Sequence, residues 1–408
     1  MKHFYLLLLV SLYFKAFPET RTAEVPLFDK KIPVAYDHSI VFSLQYKPNE
    51  EGYFETYYHL MDTSKYNILL NDLQKHREEL ALNDWLYFLL LKNSIGVILS
   101  GQKEYAQTLF LWFMLNKSGF ETRLEFIGKE ITVSVFTNNL VYDVPQSKGK
   151  GGFYLDLTAF SNKIDYNKWI PFRLDFNPNK GKEVRPFSFK IPSVALNGNG
   201  SEEMPLPRVF ESRIVEKEIS FSYNGKSFHV VVPVDIGYAS FLKKYPELSV
   251  LRHTDLALSP GASKALVTFL KQSTAGLDSV QKIRFLMSFC RTGFSFTPLK
   301  KSNGSLDIDR SKVINSPEET LLDSTVESED ISILFYYLAK EILNPEMVFL
   351  KFGKQISVAV NLNRKLGPPI FYNNKIFAIC DVSENEDSTE IGIFPKSISG
   401  KSPSFIDK

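Results

Sequence analysis

A chain of 408 residues, 44% hydrophobic and 23% charged, has the balance of a globular protein of roughly two or three domains, which excludes wholesale disorder. A formal net charge of +2 excludes a strong field aimed at nucleic acid or an acidic membrane surface. Two cysteines without C-x-x-C spacing, Cys290 and Cys380, exclude a disulfide framework. Both sit in apolar runs, which favours buried free thiols over a single bridge.

Lys2 and His3 precede an apolar run from Phe4 to Phe14. That run falls short of the about 20 residues needed to span a bilayer and reads as a secretory signal peptide over 1–23, with Ala23 the candidate cleavage residue. The alternative is a buried N-terminal strand. The chain is therefore expected to be exported, to the periplasm or cell envelope, with no transmembrane span in the mature protein.

From Asn71 to Leu99 the apolar spacing is helical, and a second helix is expected from Glu104 to about Lys117, with Gly119 placed to end it. Strand-like runs follow at Thr122–Ile127, Ile131–Phe136, Leu140–Val144 and Phe153–Leu157. These form an N-terminal α+β half over 24–163. Residues 164–255 are rich in proline and glycine, and Ile214–Tyr223 and Ser227–Val234 flank Asn224-Gly225, the strongest short hairpin signal. This stretch reads as a small β-rich module linking two larger pieces. Residues 256–408 form a C-terminal domain: helices at Ser263–Gln272, Asp278–Cys290 and Ser328–Leu343, then strands at Met347–Phe352, Ile356–Val360 and Lys375–Cys380, with Asn373-Asn374 turning before the last.

The two halves match at a constant offset of 225 residues. Glu104 faces Glu329, Leu109-Phe110 faces Leu334-Phe335, Gly128-Lys129 faces Gly353-Lys354, and Ile131, Val133 and Val135 face Ile356, Val358 and Val360. Asp156 faces Asp381. An ungapped register over helix, strand, Gly-Lys turn and strand argues for a tandem repeat rather than coincidence.

The C-terminal segment also carries Ser316-Pro317-Glu318-Glu319-Thr320-Leu321-Leu322, then Ser328-Glu329-Asp330 opening a helix, then Phe352 to Val360, then Phe377-Ala378-Ile379-Cys380-Asp381. Over roughly residues 260 to 400 this resembles the bacterial transglutaminase-like family of the papain-like superfamily. Leu82-Asn83-Asp84-Trp85 and Phe110–Gly119 look like the accessory half of exported, Bacteroidota-type members. The resemblance implies two helix-plus-antiparallel-sheet halves and a Cys–His–Asp triad: a thiolate at a helix N-terminus, a histidine on the next strand, an aspartate to orient it. This chain has Ser328 for the cysteine and Gln355 for the histidine, and keeps only Asp381. A glutamine amide has no titratable proton near neutral pH, and no histidine follows His253. Losing a nucleophile or base costs on the order of 10⁴–10⁶ in rate. Lys354 is expected to point away from the face that Gln355 lines. In the N-terminal copy the matching positions are Lys103, Glu130 and Asp156.

The expectation is a pseudoenzyme that binds a partner protein or extended peptide in the former active-site cleft. The alternatives are a hydrolase with a rearranged site built on Cys290, or a structural component of a cell-envelope assembly. Ser328 is expected to cap its helix, and Asp381 to orient Gln355. No cofactor or metal is expected, since no phosphate-binding glycine loop occurs and His59, His76, His229 and His253 lack ligand spacing.

Overall fold

A computed structural model describes residues 19–42, 50–127, 130–139, 141, 144–160, 172–174, 184–189, 206–246, 250–296, 314–323, 325–353, 355–382, 390–395, 398 and 400–406. The apolar run Phe4–Phe14, the Pro192–Pro207 loop apart from its last two residues, and Lys354 lie outside them. The chain is mixed α+β, and among the described residues its sheets are antiparallel except for one two-residue pairing. It divides into two compact units, one holding residues 1–140, 144–190 and 207–209, the other 141–143, 191–206 and 210–408.

The first unit opens with a hairpin of β1 (Thr20–Leu27) and β2 (Lys30–Asp37). Ala23, Val25 and Leu27 alternate inward on β1, and Ile32 and Val34 on β2. Ala23 thus lies mid-strand, paired with Val34. Helices α1 (Glu50–Thr63), α2 (Asn67–Glu79), α3 (Asp84–Ile98) and α4 (Glu104–Lys117) follow. The single helical stretch expected over Asn71–Leu99 is two helices. Ala81 adopts the left-handed region, φ +54°, and the Asn83 side chain caps α3 by accepting from the Leu86 N–H at 2.9 Å. Tyr57 of α1 packs against Trp112 and Phe113 of α4. A five-stranded sheet completes the unit: β3 (Thr122–Ile127), β4 (Glu130–Thr137), β5 (Gln146–Gly149), β6 (Gly152–Asp156) and β7 (Phe172–Leu174), in the order β5-β6-β4-β3-β7. Val141 makes only a bridge contact, and most of the strand expected over Leu140–Val144 lies outside the described residues.

The second unit opens with a hairpin of β8 (Ile214–Tyr223) and β9 (Lys226–Asp235), turned by Asn224 and Gly225 at φ +49° and +73°. After α5 (Ile236–Leu242) and α6 (Val250–His253) come α7 (Pro260–Ser273) and α8 (Ser279–Thr292), with Asp278 and Gln281 forming a capping box at the start of α8. Then come β10 (Ser295–Phe296), α9 (Pro317–Leu322), β11 (Thr325–Val326) and α10 (Ser328–Ile342). Strands β12 (Glu346–Phe352), β13 (Gln355–Asn361), β14 (Ile370–Tyr372), β15 (Lys375–Cys380) and β16 (Ser404–Ile406) form a sheet of order β14-β15-β13-β12-β16. That is the order of the first sheet, strand for strand.

The hairpin at 214–235 is not a separate linking module. Ile219, Phe221, Val230, Val232 and Val234 enter one core with Leu266, Phe285, Phe289, Leu334 and Val358. Phe221 meets the Phe285 and Phe289 rings edge-on at 5.2 Å. The physical reason is that a two-stranded ribbon cannot bury its apolar face alone and needs helices to pack on. Farther upstream, β7 pairs with β3 in the first unit, so the expected module at 164–255 is split between the two units.

Candidate functional site

The first turn of α10 begins one residue earlier than a serine cap would require. Glu327 has the extended N-cap backbone, φ −99° and ψ 166°, and Ser328 is already helical. Ser328 Oγ donates to Glu329 Oε2 at 2.7 Å. Its proton is therefore directed at a neighbouring carboxylate. Among the described residues no hydrogen bond joins Ser328 to Gln355 or Asp381.

Asp330, one turn in, does the anchoring. It is 4% exposed; Oδ1 accepts from the Asn315 N–H at 2.9 Å, and Oδ2 from the Asn315 side-chain amide at 3.2 Å and the Glu327 N–H at 3.3 Å. Burial, with added repulsion from Glu327 and Glu329, pushes its carboxyl up to about 7. One element back, Glu318 of α9 is fully buried. It accepts from the Asp235 N–H at 2.7 Å, the Ser259 N–H at 2.8 Å and Ser259 Oγ at 2.7 Å, which ties α9 to the end of β9 and the start of α7.

Gln355 opens β13 across the Gly353 turn, paired with Phe352 and half-buried. Strand alternation decides what it faces. Ile356, Val358 and Val360 point to the core shared with Ile331, Leu334, Phe335 and Leu338 of α10. Gln355, Ser357 and Ala359 point the other way, where Ala359 packs with Leu350, Phe352 and Ile379. Ser332 Oγ donates to the Ile356 carbonyl at 2.9 Å, which sets the start of α10 beside the start of β13.

Asp381 follows β15 and is 1% exposed. Ser357 Oγ donates to its Oδ1. Its carbonyl accepts from Arg291 Nε at 2.9 Å and Nη2 at 2.5 Å, and Arg291 is itself buried at the end of α8. Asp381 is thus held at its carbonyl by Arg291 and at its carboxylate by Ser357, and is almost fully shielded from solvent. Ser357 and Arg291 were missed by sequence reasoning. Ser357 had a usable signal, since it stands two residues beyond Gln355 on the same face.

Cys290 and Cys380 are free, fully buried thiols. Burial pushes both far above the ordinary thiol range, leaving no thiolate near neutral pH. Cys380 points into the helix-side core, opposite the face Asp381 shares with Ser357. In the first unit Lys103 is the N-cap of α4 without a side-chain bond. Glu130 opens β4, and its side chain lies outside the described residues. Asp156 closes a local turn, its Oδ1 accepting from the Thr158 N–H at 2.8 Å and from Thr158 Oγ1.

Among the described residues no group of three His, Cys, Asp or Glu side chains is placed to hold a metal ion, and no helix is long and apolar enough to cross a membrane.

No family model, curated protein or solved structure matches this chain.

Proposed function

We propose that this chain is an exported, non-catalytic protein of transglutaminase-like descent, in which a tandem α+β unit serves to bind a partner protein or extended peptide. One observation carries the reading: the three positions that should form a triad have other engagements. The Ser328 hydroxyl is donated to Glu329, Gln355 offers no proton-accepting ring, and the Asp381 carboxylate is committed to Ser357 in a buried pocket of polar groups. The shared strand order of the two sheets supports a duplication. The buried position of Asp381 supports a structural role for that residue.

The competing reading, a hydrolase rebuilt on Cys290, requires a reachable thiolate. A fully buried thiol whose ionisation is suppressed by desolvation argues against it. The test is an amidase and transamidase assay on purified protein with a parallel thiol-reactive probe. We expect no turnover above a Ser328→Ala control, and labelling of Cys290 only on unfolding. Turnover that Ser328→Ala abolishes, or rapid labelling of Cys290 in the folded protein, would refute the non-catalytic reading.

A further inference from the structure

The two sheets differ at one edge. In the first, the edge strand β5 carries exposed Gln146 and Lys148, and an edge lysine discourages pairing with another chain. In the second, the same position is β14, Ile370-Phe371-Tyr372. Phe371 is 67% exposed and its cross-strand partner Ile376 41%. Among the described residues no strand pairs with the far side of β14. Asn373 and Asn374, at φ +48° and +61°, close a two-residue turn between β14 and β15. Tyr372 and Lys375 are then the hydrogen-bonded pair at the turn, and Phe371 and Ile376 the non-bonded pair beside it. The Phe371 N–H and C=O therefore aim at the open edge.

Three residues before β14, at Gly367, the chain crosses the backbone of Gly392. A Cβ on Gly367 would lie 2.3 Å from the Gly392 carbonyl oxygen, and both residues are left-handed, at φ +66° and +84°, so the crossing requires glycine. Gly392 is held to the sheet by its N–H donating to the Ile379 carbonyl at 2.8 Å. The crossing borders a cavity of about 510 Å³ walled by Pro368, Ile393, Phe394 and Lys401. Ile393 is 50% exposed, and among the described residues Lys401 has no ion-pair partner. The cavity lies on the sheet face of Phe352 and Ile379, whereas Ile376 belongs with Ala378 and Cys380 on the other face.

We propose that the β14 edge docks an extended peptide segment of a partner protein as an added strand. Alternate apolar side chains of that segment cover Phe371–Ile376 on one face and enter the Pro368–Ile393–Phe394 cavity on the other, and a carboxylate meets Lys401. Main-chain bonds to an open edge supply affinity, and the alternating pockets supply specificity. The occupant is argued from three features: an edge and a cavity-rim lysine that are both without partners among the described residues, and apolar surface on both faces at strand periodicity. The fold does not impose them, since the first sheet has a polar edge at the same place. This inference rests on the binding reading above.

The test is affinity selection by the full chain from a pool of ten-residue peptides with Val, Ile or Phe at alternate positions and free carboxyl termini. Retained peptides are then measured by fluorescence anisotropy. Phe371→Lys and Ile393→Asp are exposed-site changes and are checked for unaltered circular dichroism. Each is expected to weaken binding at least tenfold. Lys401→Glu should weaken it several-fold. If amidating the peptide terminus gives the same loss, the carboxylate is terminal; if not, it belongs to an acidic side chain. The proposal is overturned if no peptide is retained, or if Phe371→Lys binds as tightly as the parent. It is also overturned if sedimentation shows a dimer that Phe371→Lys dissolves, because the edge then belongs to a second copy. Peptide turnover, assayed in the same samples, would sink the non-catalytic reading alone, whereas failed retention without turnover sinks only the edge proposal.

Discussion

Asn83 and Asp278 stand at the same point of the two units. Each is the N-cap of the helix that lies on its unit's opening hairpin, and each accepts from the N–H three residues on, Leu86 at 2.9 Å and Gln281 at 2.8 Å. Two residues earlier each chain passes through the left-handed region, at Ala81 (φ +54°) and Gly276 (φ +79°). Ten residues later each helix donates a side-chain bond to its hairpin, from Asn93 Nδ2 to the Pro26 carbonyl at 2.8 Å and from Ser288 Oγ to the Ser222 carbonyl. These pairs are offset by 195 residues, not 225. The offset changes because the segment between α8 and α10, which holds β10, α9 and β11, has no counterpart in the first unit.

The left-handed pair gives a matched prediction. A non-glycine residue in that region costs about 1–2 kcal/mol, partly offset by the larger unfolded-state entropy of glycine. Nothing lies within 4 Å of a Cβ at Gly276, so backbone strain alone decides. Gly276→Ala is expected to destabilise by about 1 kcal/mol, and Ala81→Gly to stabilise by a smaller amount. Urea denaturation of both variants checks the opposite signs.

The hairpin's place in the second core predicts where that unit can be cut. A fragment of residues 256–408 lacks β8 and β9 and leaves Phe285 and Phe289 without Phe221. It is expected to aggregate or bind a hydrophobic dye, while a fragment of 210–408 folds cooperatively. Dye binding and thermal melting of both fragments check this; a cooperative melt from 256–408 would put the hairpin outside the core.

The first hairpin bears on the expected cleavage after Ala23. Cleavage after Ala23 would remove half of β1, including the pairs from Thr20–Asp37 to Ala23–Val34, and the His38 N–H bond to Glu19 at 2.9 Å. If the leader is removed, the mature protein is expected to begin at or before Glu19. N-terminal sequencing of protein recovered from the cell envelope decides it, and a start at Glu24 would contradict this hairpin.

Ser357 and Asp381 predict a stability effect. Ser357→Ala leaves a buried carboxylate short of a donor, at a cost of about 1–3 kcal/mol. Ser357 and Asp381 are both almost fully shielded from solvent, so bulk water does not replace the lost donor. The midpoint of chemical denaturation should fall accordingly, while Gln355→Ala, at a half-buried strand end, should change it by less.

What was legible in the sequence follows from how local its causes are. The boundaries of α4, β3 and β15 match their apolar patterns, and Asn224-Gly225 marks its turn, because each signal lies within the element itself. The break at Ala81 was not legible, since alanine does not advertise a left-handed backbone and the helical spacing runs through it. The helix cap fell on Glu327 rather than Ser328 because the cap is set by where the backbone turns, not by the better capping side chain. The Ser357 bond to Asp381 depended on strand register: Val358 pairs with Cys380, which brings Ser357 opposite the aspartate. Register between non-adjacent strands is a tertiary property.

Asp330 gives the last prediction, in which the sign is the content. Its folded carboxyl titrates near 7 because burial and the nearby Glu327 and Glu329 disfavour the anion; the unfolded value is the ordinary one of about 3.9. The folded state therefore holds the proton more tightly than the unfolded state. The stabilisation is fully present below the unfolded value and is lost as pH rises through the folded one. Glu318 and Glu319, also raised by burial, act in the same direction. Unfolding free energy is expected to fall between about pH 4 and 7 and to level off above that. Asp330→Asn should flatten this slope, because asparagine cannot ionise yet keeps an oxygen for the Asn315 N–H. Urea titrations of parent and variant at several pH values check the difference, and parallel slopes would show that Asp330 does not ionise in this range.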